Sequence, residues 1–339
     1  MILIRADANE RIGSGHIMRS LSIARAFQHL GERVVFVTAD HGSDPLLSKN
    51  GFSAVYLDSD YRNMDSELSA LIQLIETDKP DLLLIDSYFV NDLYFQALTP
   101  HIKTAYIDDL NAGRFDVDYL INYNIFSSLI DYSAYVSAGK TLLLSPLYAP
   151  LRDEFISQPQ HKTRETVRDI FVSTGGADHQ DVALRVIKEV CPKWESIRFH
   201  FVIGALNSRT AQYLAYQKDS IVFHINEGNM SELMQNCDLA ISAAGSTLYE
   251  LCACGTPTIT YAMADNQRPA GECFMSQNIM EYAGDCRDND QFTEQINKLI
   301  YVLSDDMSAR KEKTKIMQNL VDGRGAERIA KVLLGVKDS

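Results

Sequence analysis

Short, continuously apolar runs alternate with stretches of helical periodicity through the first half of the chain. Ile2 to Asp7 leads into a helical pattern over Ile17 to Leu30. Val34 to Thr38, Ala54 to Leu57, Leu82 to Asp86 and Thr104 to Ile107 repeat the strand-like run, with helical patterns over Leu68 to Ile75 and Leu93 to Leu98. Strands without polar alternation are buried on both faces, and the helices between them supply the crossovers of a parallel sheet. Residues 119–124 read as one more strand. The polar stretch Ser157 to Thr166 then interrupts the pattern in the manner of an interdomain linker.

The alternation restarts with predicted strands at Ile170 to Ser173, Phe199 to Ile203, Ile221 to His224, Leu239 to Ser242 and Thr258 to Tyr261. Helices are predicted over Val182 to Val190, Ser208 to Tyr216, Ser231 to Asn236 and Thr247 to Cys254. Residues 289–337 read as helical and charged, broken at Asp322-Gly323-Arg324-Gly325, with the last helix expected to return to the first domain. The expectation is an α/β protein with two successive doubly wound domains, residues 1–156 and 167–339.

A length of 339 residues suits two such domains, and 46% hydrophobic residues suffice for sizeable cores. No apolar run is long enough to cross a bilayer and the N-terminus opens directly into a strand, so a cytoplasmic location is expected. The net charge of −13 repels nucleic acid and anionic lipid, leaving any phosphate to be held locally. The six cysteines form no Cys-x-x-Cys pair and read as buried, reduced thiols. No His-Glu-x-x-His or grouped metal spacing exists, so neither a metal nor another cofactor is expected.

Ligands of doubly wound sheets bind beyond the carboxyl ends of the strands, which makes the strand-end loops the places to search. The first strand feeds Ile12-Gly13-Ser14-Gly15-His16-Ile17-Met18-Arg19, whose glycines allow backbone amides to face an anion or a sugar. Met18 stands where a dinucleotide fingerprint requires a third glycine, and no Walker A loop is present. His16 falls in the first turn of the following helix, at the positive end of the dipole, and reads as a general base, the alternative being a histidine that caps the turn. Asp86-Ser87-Tyr88 and Asp108-Asp109 end two further strands. The Tyr88 hydroxyl could orient a sugar or water, or its ring could merely cover a helix end. The two aspartates could support a cation such as Arg5 or position a sugar hydroxyl, but Asp at such turns is ordinarily an N-cap, and Asp109 is read as one.

In the second half, Ser173-Thr174-Gly175-Gly176-Ala177-Asp178 gives another close-approach glycine turn. Gly245, Ser246 and Thr247 open a helix whose amides and hydroxyls suit a diphosphate, while Glu250, one turn in, could accept both hydroxyls of a ribose; a plain capping box fits equally. Asp265-Asn266-Gln267 brings an acid and two amides to the next strand end, or simply caps its loop.

Taken together, Arg5-x-Asp7, Ile12-Gly-Ser-Gly-His16-x-Met18-Arg19, Gly175-Gly176-x-Asp178, Gly245-Ser-x-x-x-Glu250 with Gly255-x-Pro257, and Asp265-Asn266-Gln267 resemble the nucleotide-sugar hydrolases of pseudaminic acid biosynthesis. The related spore coat polysaccharide biosynthesis proteins look similar, and the Gly-Ser…Glu segment is shared with the lipid II N-acetylglucosaminyltransferase. The resemblance runs from residue 1 to about residue 270. It implies a GT-B arrangement of two Rossmann-like domains facing across a cleft, and metal-independent, inverting hydrolysis of UDP-2,4-diacetamido-2,4,6-trideoxy-β-L-altropyranose with water as acceptor. It places His16, Tyr88 and Asn266 as catalytic residues. The substrate contacts expected from the motifs are Arg5, Asp7, Gly13, Ser14, Gly15, Gly175, Gly176, Gly245, Ser246, Thr247, Glu250 and Gln267. A GT-B glycosyltransferase with a hydroxyl acceptor, or a non-catalytic nucleotide-sugar binding protein, are the alternatives.

Overall fold

The apolar runs form two separate sheets in which every ladder is parallel. The computed structural model describes residues 1–9, 11–111, 113–175, 178, 180–204, 209–225, 227–287 and 291–336. The expected site residue Gly176 and the expected helix start at Ser208 lie outside them.

The first sheet comprises β1 (Ile2–Ala6), β2 (Val34–Thr38), β3 (Ala54–Tyr56), β4 (Leu82–Asp86), β5 (Thr104–Ile107), β6 (Tyr119–Asn122) and β7 (Thr141–Leu144), in the order 3-2-1-4-5-6-7. Its helices are α1 (Gly15–His29), α2 (Asp44–Lys49), α3 (Leu68–Asp78), α4 (Asp92–Leu98) and α5 (Ser133–Ser137). The second sheet holds β8 (Asp169–Ser173), β9 (Arg198–Ile203), β10 (Ile221–Ile225), β11 (Leu239–Ala243), β12 (Thr258–Ala262) and β13 (Glu281–Asp285), in the order 10-9-8-11-12-13. With it go α6 (Val182–Arg185), α7 (Thr210–Leu214), α8 (Met230–Asn236), α9 (Thr247–Cys254), α10 (Arg268–Ser276), α11 (Phe292–Asp305) and α12 (Met307–Leu320). The last helix is α13 (Gly325–Leu333). The helix expected over Val182 to Val190 is α-helical only to Arg185 and then widens into a π-helical turn over Val186–Val190.

Every residue of β1, β2 and β4 is buried, as continuous apolar strands covered on both faces must be. Strand order reverses beside β1, which pairs with β2 on one side and β4 on the other, and beside β8, which pairs with β9 and β11. These are the two topological switch points, where the loops after neighbouring strands diverge and leave room for a ligand.

The chain divides into two compact units, Met1–Arg152 with Arg324–Ser339, and Asp153–Gly323. This differs from the expected boundaries at both ends. The polar stretch read as a linker is packed into the second unit: His161 is buried and its Nε2 lies 2.9 Å from the Cys237 carbonyl oxygen. At the other end α13 rejoins the first unit. Its buried face, Ala326, Ile329, Ala330 and Leu333, has the spacing of one helical stripe and packs on α1 and the Pro146–Tyr148 turn. Two glycines allow the return. A Cβ on Gly323, whose φ is +81°, would strike the Phe155 carbonyl, and one on Gly325 would strike that of Ala149. All six cysteines are buried, and none is in a disulfide. Among the described residues no helix is long and apolar enough to cross a membrane.

Candidate active site

At the first switch point, the loops after β1, β4, β5 and β6 converge on one hydrogen-bonded cluster. His16 opens α1, and its ring is buried, with Nδ1 2.6 Å from Oδ1 of Asp86 at the end of β4. Arg19, one turn further along α1, approaches the same Nδ1 at 3.2 Å. A guanidinium can only donate, and a carboxylate can only accept. The shorter contact therefore places a proton on Nδ1, which donates to Asp86, and in the neutral imidazole the lone pair is then on Nε2. Among the described residues no hydrogen-bond partner of Nε2 is found. Ser14 provides the helix N-cap without a side-chain capping bond, and His16 does not cap the turn either.

Asp86 is fully buried and takes Arg19 in a fork, Nε to Oδ2 at 2.6 Å and Nη2 to Oδ1 at 2.5 Å, with the Ser20 hydroxyl 3.3 Å from Oδ2. Burial by itself would push this carboxyl up, but the Arg19 and His16 charges and their hydrogen bonds hold it well below the usual carboxylate range. The remaining Arg19 nitrogen, Nη1, donates to Asp109 at 2.5 Å and to the Tyr123 hydroxyl at 2.8 Å. Asp109 also accepts from the Tyr88 hydroxyl at 3.0 Å and from Asn124 at 3.1 Å. Burial, and then the Asp109 charge, raise the Tyr88 phenol above its ordinary value, so it stays a neutral donor. The Tyr88 ring meets the His16 ring edge-on, centroids 4.4 Å apart at 77°.

The reading of Asp109 as an N-cap is thereby corrected. Asp108 makes the local turn, accepting from the amides of Leu110 (3.1 Å) and Asn111 (2.7 Å), and the cation beside Asp109 is Arg19, not Arg5.

Arg5 and Asp7, expected to meet substrate, are turned into the protein. Arg5 is fully buried and bonded to Glu67 through Nε (2.7 Å) and Nη2 (2.8 Å), and to Asp7 through Nη1 (2.5 Å). Glu67 also accepts from Ser59 and Tyr94, and Asp7 from the Ala39 amide. With partners all round, this cluster braces the end of β1 and the loop it feeds.

That loop is a tight turn. Gly13, φ +73°, bonds back to the Asn9 carbonyl at 2.8 Å, a conformation few other residues adopt. Gly15 is exposed, and no atom lies within 4 Å of where a Cβ would stand. The first-turn amides of α1 thus have an open approach, with no acidic residue in that turn to compete for them.

The second switch point repeats the plan. Gly175, φ +76°, is exposed after β8, and Asp178 caps α6 by accepting from the amides of Val182 (2.9 Å) and Ala183 (3.0 Å). After β11, Gly245 turns the chain into α9. Ser246, the N-cap, makes no side-chain capping bond, and Thr247 and Glu250 are half-buried. After β12, Gln267 accepts from the Met263 amide at 3.0 Å, and its Nε2 lies 4.0 Å from where a Gly245 Cβ would be, so these two loops adjoin. Asn266 is exposed at the same turn, which Arg287 and Arg268 steady through Asp265 and Asp285. The Arg287 hydrogen bonds hold Asp285 well below the usual carboxylate range. Among the described residues no group of three or more His, Cys, Asp or Glu side chains is arranged to hold a metal ion.

Two Rossmann-like domains, each with its loop site at the switch point, define a GT-B-type protein. Residues 170–333 match the glycosyltransferase family 28 C-terminal domain. The chain is 26% identical over 290 residues to an uncharacterized protein of Methanocaldococcus jannaschii, covering 80% of this chain and 57% of that one, little more than half of the relative's length. It is 27% identical over 251 residues to the UDP-2,4-diacetamido-2,4,6-trideoxy-beta-L-altropyranose hydrolase of Campylobacter jejuni, covering 74% of this chain and 86% of the relative. The spore coat polysaccharide biosynthesis protein SpsG of Bacillus subtilis is 22% identical over 97% of this chain and 96% of its own. Among solved structures, MurG of Acinetobacter baumannii shares the fold at a TM-score of 0.71 and 12% identity, over 98% of this chain and 99% of that one.

Proposed function

We propose that this chain is a cytoplasmic nucleotide-sugar hydrolase that cleaves a UDP-2,4-diacetamido-2,4,6-trideoxy sugar of the altropyranose type to free sugar and UDP. The step belongs to the assembly of a pseudaminic-acid-type or spore coat glycan. The observation that carries this reading is the His16–Asp86 bond, which in the neutral imidazole makes Nε2 the proton acceptor at a switch point. A protein that only binds a nucleotide sugar needs no base. The hydrolase name of the Campylobacter jejuni relative supports the choice of water as acceptor.

The first unit supplies the proton chemistry and the second the nucleotide contacts. As the water oxygen bonds to the anomeric carbon, His16 Nε2 takes its proton. The bond from that carbon to the β-phosphate oxygen breaks, and the electron pair leaves with UDP. The configuration inverts because water enters opposite the leaving group. The amides and hydroxyls at Gly245, Ser246 and Thr247 meet the diphosphate charge, and Glu250 accepts the ribose hydroxyls. Tyr88 and Asn266 hold sugar and water in line. A nucleoside diphosphate departs readily, so neither a metal ion nor a carboxylic acid opposite His16 is required.

The match of residues 170–333 to a glycosyltransferase family favours a second reading, transfer to a hydroxyl acceptor. One experiment separates the two. A panel of UDP-diacetamido sugars is incubated in oxygen-18 water, with products read by NMR and mass spectrometry. Label on the free sugar and none on UDP is expected. Label on UDP indicates attack at the β-phosphorus, and labelled UMP or sugar 1-phosphate indicates pyrophosphate cleavage; either refutes the mechanism, and release only on adding a glycan or lipid acceptor selects the transferase.

A further inference from the structure

The hydrogen bonds around His16 form a closed circuit. It runs from His16 through Asp86 to Arg19, from Arg19 Nη1 to Asp109, and from Asp109 Oδ2 to the hydroxyl of Tyr88, whose ring returns to His16 at 4.4 Å. Arg19 is the joint. Nε and Nη2 grip Asp86, and Nη1 is left for Asp109 and Tyr123, so the planar fork holds two carboxylates at fixed angles. A lysine, one point charge on a flexible stem, cannot do the same.

We infer that Arg19 and Asp109 are positioning residues that hold His16 and Tyr88 in one mutual arrangement, so that Asp109, which does not touch His16, governs turnover and not nucleotide binding. The inference rests on the reading of His16 as the base. Its physical reason is charge. With a neutral imidazole, two carboxylates and one guanidinium leave this largely buried cluster with an excess negative charge, and the proton taken from water cancels it. The cluster is thus arranged in advance for the state that follows proton transfer. Replacing Asp109 by asparagine removes the excess and slackens the Tyr88 tie without touching the base.

The test measures kcat, KM and UDP affinity for Asp109→Asn, Tyr88→Phe and the double variant. It also follows the low-field proton NMR resonance of His16 Nδ1–H, assigned by its absence in His16→Leu. Asp109→Asn is expected to lower kcat between about 10- and 100-fold, with UDP affinity within about twofold and the resonance moved upfield. The double variant should lose no more than the worse single variant, because both act on one circuit. Tyr88→Phe alters the partly exposed end of the circuit without touching its buried charges, and should move the resonance the same way even if Asp109→Asn does not fold. Unchanged kcat in Asp109→Asn, or additive losses in the double variant, overturns the inference. If the wild-type protein hydrolyses no UDP-sugar, the hydrolase reading alone fails and the NMR arm decides: a resonance that responds to Asp109→Asn sustains the circuit, and one that does not move refutes it.

Discussion

His16 and Arg19 stand one helical turn apart on α1 and reach the same Asp86 oxygen, Nδ1 at 2.6 Å and Nη2 at 2.5 Å. Side chains three apart share a helix face, so a single helix presents both the imidazole and the cation that keeps its partner ionised. Asp86 receives both because β4 lies directly beside β1 in the sheet.

If His16 is the proposed base, replacing it should stop the reaction and leave the nucleotide site alone. His16→Leu is expected to lose at least about 100-fold in sugar release while binding UDP within about twofold of wild type by calorimetry. Turnover at the wild-type rate in this variant would refute the assignment.

Asp86 also ties stability to pH. Its folded-state value is held well below the ordinary 3.8, so below that pH the unfolded chain takes up a proton that the folded one refuses. The stabilisation is complete above about pH 4 and fades as the pH falls from there. The wild-type melting temperature should therefore drop more steeply between about pH 4 and pH 2 than that of Asp86→Asn. Parallel curves for the two proteins would count against the paired carboxylate.

Arg5 is expected to matter for folding and not for ligand. Arg5→Met leaves Glu67 and Asp7 buried without their cation, a loss of about 3–5 kcal/mol measurable by urea denaturation. Whatever fraction remains folded should bind UDP normally. A stable variant with weakened UDP binding would return Arg5 to the substrate site.

Two glycines should respond in opposite ways. Gly15→Ala meets open space and should melt within a few degrees of wild type while weakening substrate, since a methyl group then stands at the approach to the α1 amides. Gly325→Ala drives a methyl group into the Ala149 carbonyl and should cost about 2–3 kcal/mol. Equal melting temperatures for the two variants would contradict the packing described.

Central strands were the legible part of the fold, because a parallel strand buried on both faces must be written as an unbroken apolar run. The strands that escape this reading lie at sheet edges. β7 is exposed at Thr141, and β13, Glu-Tyr-Ala-Gly-Asp, has no apolar run at all. The loops that carry His16 and Tyr88 follow from strand ends and glycines. The partners of those residues do not, because Arg19 meets Asp86 and Asp109 across 67 and 90 residues, a matter of strand order rather than local pattern. Arg5 and Asp7 mislead for a related reason: they stand at a strand end, but the burial of Glu67 and Tyr94 beside them decides which way they turn.

Because α13 completes the first unit and residues 153–323 make up the second, the half of the protein that begins first is finished last. During synthesis the contiguous second unit can close while α1, bearing the histidine, still waits for the Ile329 face that covers it. A chain cut short at Gly323 would emerge with one intact half and one whose helix floor is missing, exposing the apolar surface of α1 that the Ile329 face covers.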